Sequence, residues 1–126
     1  MNLLEFHYRG PVMGKPRMTR RDAWKKRPVI ERYYEYKDKL KEAARKAKYA
    51  PSDRLDIMFS IRMPNSWSNK KKQEMLNKPH KQRPDIDNLL KGFMDILLEE
   101  DSHIWHVNAT KYWGLDNEIF VFKQEI

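Results

Sequence analysis

Residues 83–101, RPDIDNLLKGFMDILLEED, predict a helix that runs from Asp87 to about Leu98 and begins shortly after a proline. At about 100° per residue, the apolar side chains of this segment fall on one side of the helix and the polar ones on the other. Such a helix buries its apolar side against the rest of a domain. That side comprises Leu89, Leu90, Gly92, Phe93, Met94, Ile96 and Leu97.

The polar side of the predicted helix can be interpreted in two ways. In an arbitrary helix it is simply a solvated surface, and Asp85 and Asp87 stand where acidic side chains cap exposed N–H groups. Capping does not explain the tight Asp-x-Asp-Asn-x-x-Lys pattern directly after a basic, proline-bounded loop. Two carboxylates two residues apart can reach one cation, and a lysine one turn later can offset charge on phosphate oxygens. The polar arc, roughly 120° wide, comprises Asp87, Asn88, Lys91, Asp95 and Glu99.

Charge is distributed unevenly along the chain. The net charge of +8 and the pI near 9.7 favour a polyanionic partner such as nucleic acid, although a merely soluble basic protein has the same totals. Nine basic residues lie between Arg9 and Arg32, whereas six carboxylates and only one cation lie between Asp85 and Asp101. A protein that only coats phosphates gains nothing from such an acidic cluster, but a nuclease uses one to recruit Mg²⁺.

The remaining segments predict one mixed α+β domain over residues 1–126, with a small sheet packed with helices. Leu4, Phe6 and Tyr8 are predicted to share one face of the first strand. The first residues, MNLLEFHYRG, contain no long apolar stretch of the kind found in signal peptides, and no apolar run is long enough for a membrane span, so we expect a cytoplasmic protein. The other predicted elements are a basic loop over 10–28, a helix over 30–47, a strand over 55–63, a short helix over 66–76, and strands over 103–111 and 117–124.

Two parts of the sequence resemble the RusA family of Holliday junction resolvases. The specific part runs from 83 to 111 and contains Asp85-Ile86-Asp87-Asn88-Leu89-Leu90-Lys91, then Asp95, Glu100-Asp101 and Lys111. The second is Gly14-Lys15-Pro16-Arg17 with its following arginines, which is similar to a basic loop in phage and prophage members.

The resemblance implies a homodimeric endonuclease that uses Mg²⁺, or Mn²⁺ in its place, to nick four-way DNA junctions or related branched DNA. Asp85, Asp87 and Asp101 would be the catalytic carboxylates that bind the metal, which activates water for attack on the phosphate, and Lys91 the supporting cation. Further basic residues would bind backbone phosphates at a distance from the cleaved bond. They are Lys15, Arg17, Arg20, Arg21, Lys25, Lys26, Lys70, Lys71 and Lys72.

The position of Asp101 poses a geometric problem. The family usually has two adjacent aspartates where this chain has Glu100-Asp101, and the spacer from Asp95 is shorter here. A helix from Asp87 to Leu98 is roughly 17 Å long, and few residues remain to bring Asp101 back to Asp85. Either the helix ends early, or Asp101 completes a site on the partner subunit of a two-fold dimer.

Two alternatives to a junction resolvase stay open at this stage. One is a non-catalytic nucleic-acid-binding protein whose aspartates only cap and solubilise the helix. The other is a metal-dependent nuclease that acts on flaps, forks or RNA hairpins. A zinc enzyme is disfavoured because cysteine is absent and the histidines are scattered.

Overall fold

The computed structural model describes residues 2–17, 28–98, 100 and 102–124. Within them lie three helices and four strands that form a single mixed sheet, which confirms the predicted α+β class. No helix of these residues is both long enough and apolar enough to cross a membrane. The elements in chain order are β1 (Asn2–Arg9), α1 (Pro28–Ala47), β2 (Arg54–Arg62), α2 (Asn69–Met75), α3 (Ile86–Leu97), β3 (His106–Gly114) and β4 (Glu118–Gln124).

The sheet has the strand order β1-β4-β2-β3, with β2 at its centre beside both β3 and β4. β4 is antiparallel to β1 and to β2, whereas β2 and β3 are parallel. A parallel pair needs a long crossover connection, and here that connection contains α2 and α3. The crossover therefore places the start of α3 near the end of β3.

The core lies between one face of the sheet and the two long helices, α1 and α3. Alternation along β2 turns Leu55, Ile57 and Phe59 into this core, where each is almost fully buried. Tyr36 and Leu40 meet them from α1. Burial of these apolar side chains is the main stabilising contribution to the fold.

Helix α3 has the two sides that the sequence predicts. Leu89, Phe93 and Ile96 are buried in the core, and Gly92 is buried beside them. The polar residues described on the other side, Asp87, Asn88, Lys91 and Asp95, are exposed. The apolar side fixes the rotation of the helix, and that rotation presents the polar arc to solvent.

The opposite face of the sheet is not covered by a helix of the described residues. It carries Met58, Tyr112 and Phe120, which line a shallow cavity of about 570 Å³ together with the exposed Leu76 and Leu115. The sheet thus has one packed face and one open, largely apolar face.

Two sequence predictions need correction. Leu4 does not share the buried face of Phe6 and Tyr8, because the pairing register of β1 shifts between Leu4 and Phe6 and leaves Leu4 55% exposed. β3 runs from 106 to 114 rather than from 103 to 111, because its ladder with β2 begins at His106.

Candidate metal and nucleic acid site

The start of α3 presents two acidic side chains to solvent. Asp85 is the N-cap residue, with φ −68° and ψ 145°, and its carbonyl accepts a hydrogen bond from the Leu89 N–H at 3.0 Å. Its carboxylate makes no capping hydrogen bond to the helix. Capping therefore does not explain the aspartate at 85, whose carboxylate is exposed and available to a ligand.

Asp87 follows in the first turn of the helix. Its Oδ1 accepts a hydrogen bond from the Asn88 N–H at 2.9 Å, and the side chain is exposed. The positive end of the helix dipole favours negative charge at this terminus. Asp85 and Asp87 thus offer the hard oxygen donors that Mg²⁺ prefers, so the residues present fit the implied metal.

Lys91 lies exposed on the same polar arc, one turn beyond Asp87. Gly92, the next residue, is buried and faces the backbone of the N-terminal loop. The rotation predicted for the helix places Lys91 on the exposed side and Gly92 on the buried side, whereas the contact of Gly92 with the loop is seen only in the structure.

The N-terminal basic loop packs on α3 beside these carboxylates. A Cβ atom on Gly92 would lie 3.1 Å from the Met13 carbonyl oxygen and 3.2 Å from the Lys15 nitrogen. On the loop side, a Cβ atom on Gly14 would lie only 2.1 Å from Asn88 Nδ2. These two glycines allow loop and helix to touch, and they bring a positively charged segment alongside the acidic end of α3.

Lys15, predicted to bind phosphate, has a carboxylate partner in the structure. Its Nζ lies 3.2 Å from Asp95 Oδ2, and both side chains are partly exposed. A partly exposed ion pair of this kind contributes little to stability, and it tethers the loop to the helix two turns after Asp87. Arg17 is described, whereas Arg20, Arg21, Lys25 and Lys26 lie outside the described residues.

The three lysines at 70–72 that are predicted to bind phosphate lie on α2. Ser68 caps this short helix by accepting the Lys71 N–H at 3.1 Å, and Lys70 and Lys71 are exposed. Lys71 Nζ lies 4.3 Å from the centroid of the Trp67 ring. Trp67 in turn packs on Trp113 of β3, with ring centroids 4.7 Å apart. α2 and its lysines are therefore anchored to the strand that borders the loop before α3.

That loop is bound to the outer edge of β3. The N–H of Asn77 donates to the Trp113 carbonyl at 2.9 Å, the Trp113 N–H donates to the Lys78 carbonyl at 3.0 Å, and the His80 N–H donates to the Lys111 carbonyl at 3.0 Å. These bonds cover an otherwise open strand edge. They also fix the segment that leads into Asp85, which sequence periodicity did not reveal because the residues are polar and rich in proline.

Lys111 makes the last contact before the acidic residues. Its Nζ donates to the carbonyl oxygen of Gln82 at 2.5 Å and to that of Pro84 at 2.7 Å. Pro84 immediately precedes Asp85, and the Arg83–Pro84 peptide bond is cis. Lys111 is the last residue of the segment that resembles the RusA family, and its two hydrogen bonds are seen only in the structure.

His80 is a buried residue that sequence reasoning left without a role. It is 4% exposed and packs on Trp113 with ring centroids 4.2 Å apart, and its Nδ1 has no hydrogen-bond partner among the described residues. Burial lowers the pKa of His80, and the nearby Lys111 ammonium lowers it further. Both causes favour the neutral imidazole.

Asp101 lies outside the described residues. Its neighbours are described: the Ser102 N–H donates to Glu100 Oε1 at 3.1 Å, and this bond lowers the pKa of Glu100. Among the described residues, no three acidic or histidine side chains come together as a metal site. Asp85 and Asp87 therefore have no third acidic or histidine partner within that part of the chain.

Comparison with known proteins gives one match. The sequence model of the family described as endodeoxyribonuclease RusA matches residues 9–122, which is nearly the whole chain. No curated protein and no solved structure matches it. The matched range includes the basic loop, α3 and β3, and so contains every described residue of the candidate site.

Proposed function

Because this chain belongs to the RusA family of endodeoxyribonucleases, we propose that it nicks four-way DNA junctions and related branched DNA in a reaction that needs Mg²⁺. The family makes it an endonuclease that acts on DNA. The metal, the branched substrate and the residue roles are the proposal. Mn²⁺ is expected to replace Mg²⁺, since both accept carboxylate ligands.

One observation carries the proposal: Asp85 is exposed at the N-cap of α3 with a carboxylate that does not cap the helix. A carboxylate placed only to stabilise the helix would accept an N–H bond there. Together with Asp87 it forms the acidic pair expected of a metal-dependent phosphodiesterase. Mg²⁺ held by this pair would supply an activated water and neutralise charge on the scissile phosphate.

The neighbouring basic residues are placed for two roles, which are stabilising charge on the reacting phosphate and binding the DNA backbone. Lys91 projects from the same arc as Asp87 and would stabilise negative charge that develops on the phosphate oxygens. Lys15 and Arg17 lie on a loop that packs against α3, and Lys70, Lys71 and Lys72 lie on α2. These cations would bind the DNA backbone on either side of the cleaved bond, giving an affinity that falls steeply with salt.

We further propose that the active form is a homodimer in which Asp101 completes the site of the partner subunit. α3 extends for 12 residues from Ile86 to Leu97, which at 1.5 Å per residue is roughly 18 Å. The helix does not end early, so the chain leaves it far from Asp85 and only four residues before Asp101. A two-fold dimer also suits a four-way junction, which presents two symmetry-related strands for cleavage.

Cleavage of synthetic DNA tests this function. Four-way junctions, flaps, forks, linear duplex and an RNA hairpin are incubated with the protein in Mg²⁺ and in excess chelator. We expect paired nicks in the four-way junction that require Mg²⁺, and little cleavage of linear duplex. Binding of the junction without any metal-dependent cleavage would contradict the proposal and favour a non-catalytic DNA-binding protein.

A further inference from the structure

The segment that leads into Asp85 is short and exposed. Between His80, the last residue of the loop bonded to the β3 backbone, and Asp85, the first residue of the site, the chain passes through four residues. Three of them, Lys81, Gln82 and Arg83, are exposed. A segment of this kind leaves the first metal carboxylate without rigid support unless something holds it.

Lys111 holds it from the adjacent strand. Alternation along β3 places Lys111 on the same face as Ala109 and Trp113, which is the face that packs against the helices. From there Nζ reaches two carbonyl oxygens, those of Gln82 and Pro84, at 2.5 and 2.7 Å. An ammonium bonded to two carbonyls makes charge-assisted hydrogen bonds, which are shorter and stronger than neutral ones.

The contact lies next to the metal ligand in the chain. The Pro84 carbonyl is joined directly to the nitrogen of Asp85, so the peptide group that carries Asp85 is fixed on one side by Lys111. On its other side, the Asp85 carbonyl accepts the Leu89 N–H at the start of α3. Asp85 is therefore held between the sheet and the helix, with only its side chain left free to turn.

We propose that Lys111 is a positioning residue for metal binding, in that its two hydrogen bonds fix the backbone that presents Asp85 to the cation. The inference rests on the proposed metal-dependent function. Lys111 is not assigned contact with the DNA or the metal. Residues that orient metal ligands in this way commonly change metal affinity by about 10- to 100-fold when they are replaced.

Two variants and a control test the proposal. Lys111→Met removes the donors and keeps most of the length of the side chain, Lys111→Arg retains charge and donors, and Lys123→Met removes one exposed lysine from β4 as a control for charge. Mn²⁺ binding without DNA is followed by electron paramagnetic resonance of the free ion. Junction binding is measured in chelator, and the Mg²⁺ concentration for half-maximal cleavage is measured separately.

We expect Lys111→Met to weaken Mn²⁺ binding and to raise the Mg²⁺ midpoint by at least about ten-fold, with junction binding in chelator no weaker than that of Lys123→Met. Lys111→Arg should lie between Lys111→Met and the wild type. A folded Lys111→Met protein that binds Mn²⁺ as tightly as the wild type would overturn the proposal, as would equal losses in the Met and Arg variants. If Lys111→Met does not fold, Lys111→Gln takes its place; it removes the positive charge and shortens the side chain but keeps an amide donor, and it should also weaken Mn²⁺ binding. Failure of the wild type itself to bind Mn²⁺ would instead overturn the proposed function.

Discussion

Gly14 of the N-terminal loop lies directly against the side chain of Asn88 on α3, so close that a Cβ atom at Gly14 would be 2.1 Å from Asn88 Nδ2. Asn88 follows Asp87 on the polar arc. The contact therefore joins the basic loop, which we propose binds DNA, to the helix that carries the acidic pair. It also gives Asn88 a packing role that the motif alone did not supply.

Substitution of Gly14 by alanine tests this contact. The added methyl group cannot fit without displacing Asn88 or the loop, so we expect Gly14→Ala to lower the free energy of unfolding by about 1–3 kcal/mol, as overpacked sites do. Adding Asn88→Ala, which makes room, should recover most of that loss. Thermal or denaturant unfolding of the two single variants and the double variant measures the coupling. Strictly additive effects would mean that the two residues do not touch.

The acidic pair is tested by Asp85→Asn. Because the amide keeps the shape of the side chain but loses its charge, we expect cleavage to fall by at least about two orders of magnitude, while junction binding persists or improves as repulsion of phosphate decreases. Gel-shift binding and single-turnover cleavage separate the two effects. Asp38→Asn, on an exposed part of α1, is the control and should leave both unchanged. Loss of junction binding in Asp85→Asn would contradict the assigned role.

Sharing of the site across subunits is tested by mixing two inactive variants, Asp85→Asn and Asp101→Asn. If Asp101 acts on the partner subunit, each mixed dimer contains one intact site and one site with both substitutions. Random exchange at equal concentrations should then restore about a quarter of the wild-type sites, and the mixed dimers should nick only one strand of a junction. If both carboxylates act within one chain, every site in the mixture carries a substitution and no activity returns.

The buried imidazole of His80 predicts a pH dependence of stability. Its pKa is lowered by burial and by Lys111, so the unfolded chain binds the proton more readily than the folded one. The stability associated with neutral His80 is therefore present above the unfolded pKa of about 6.5 and is lost as pH falls through the folded pKa.

Melting temperatures measured at about pH 7.5 and at about pH 5, above and below the unfolded pKa of about 6.5, test whether stability falls on acidification. His80→Phe retains an aromatic ring against Trp113 and should show a smaller loss of melting temperature on acidification than the wild type. His103→Gln, a change at an exposed histidine, should follow the wild-type curve. An equal loss in His80→Phe and wild type would show that another group is responsible.

The parts of the fold that follow from local periodicity were predictable from the sequence. α3 was predicted to within one residue at each end because its apolar spacing is regular, and its rotation then determined which polar residues face solvent.

The exposure of Leu4 was not predictable, because it depends on a shift in strand register. The edge pairing of residues 77–80 and the contact between Lys111 and Pro84 were missed for a related reason: both join segments that are distant in sequence and carry no periodic signal. The spacing of Asp85 and Asp87 was predictable because both residues lie within one turn of one element, whereas the position of Asp101 relative to them does not follow from the periodicity of α3.

The central claim, that Asp85 and Asp87 gather a divalent cation, is tested most directly by locating the cation on the polypeptide. Fe²⁺ substituted for Mg²⁺ generates hydroxyl radicals at its binding site when ascorbate and peroxide are added, and the radicals cut the nearby backbone. Mass spectrometry of the fragments should place the cuts around residues 85–88 and around Asp101, and excess Mg²⁺ or the Asp85→Asn substitution should suppress them. Cuts elsewhere, or cuts that persist in Asp85→Asn, would contradict the account.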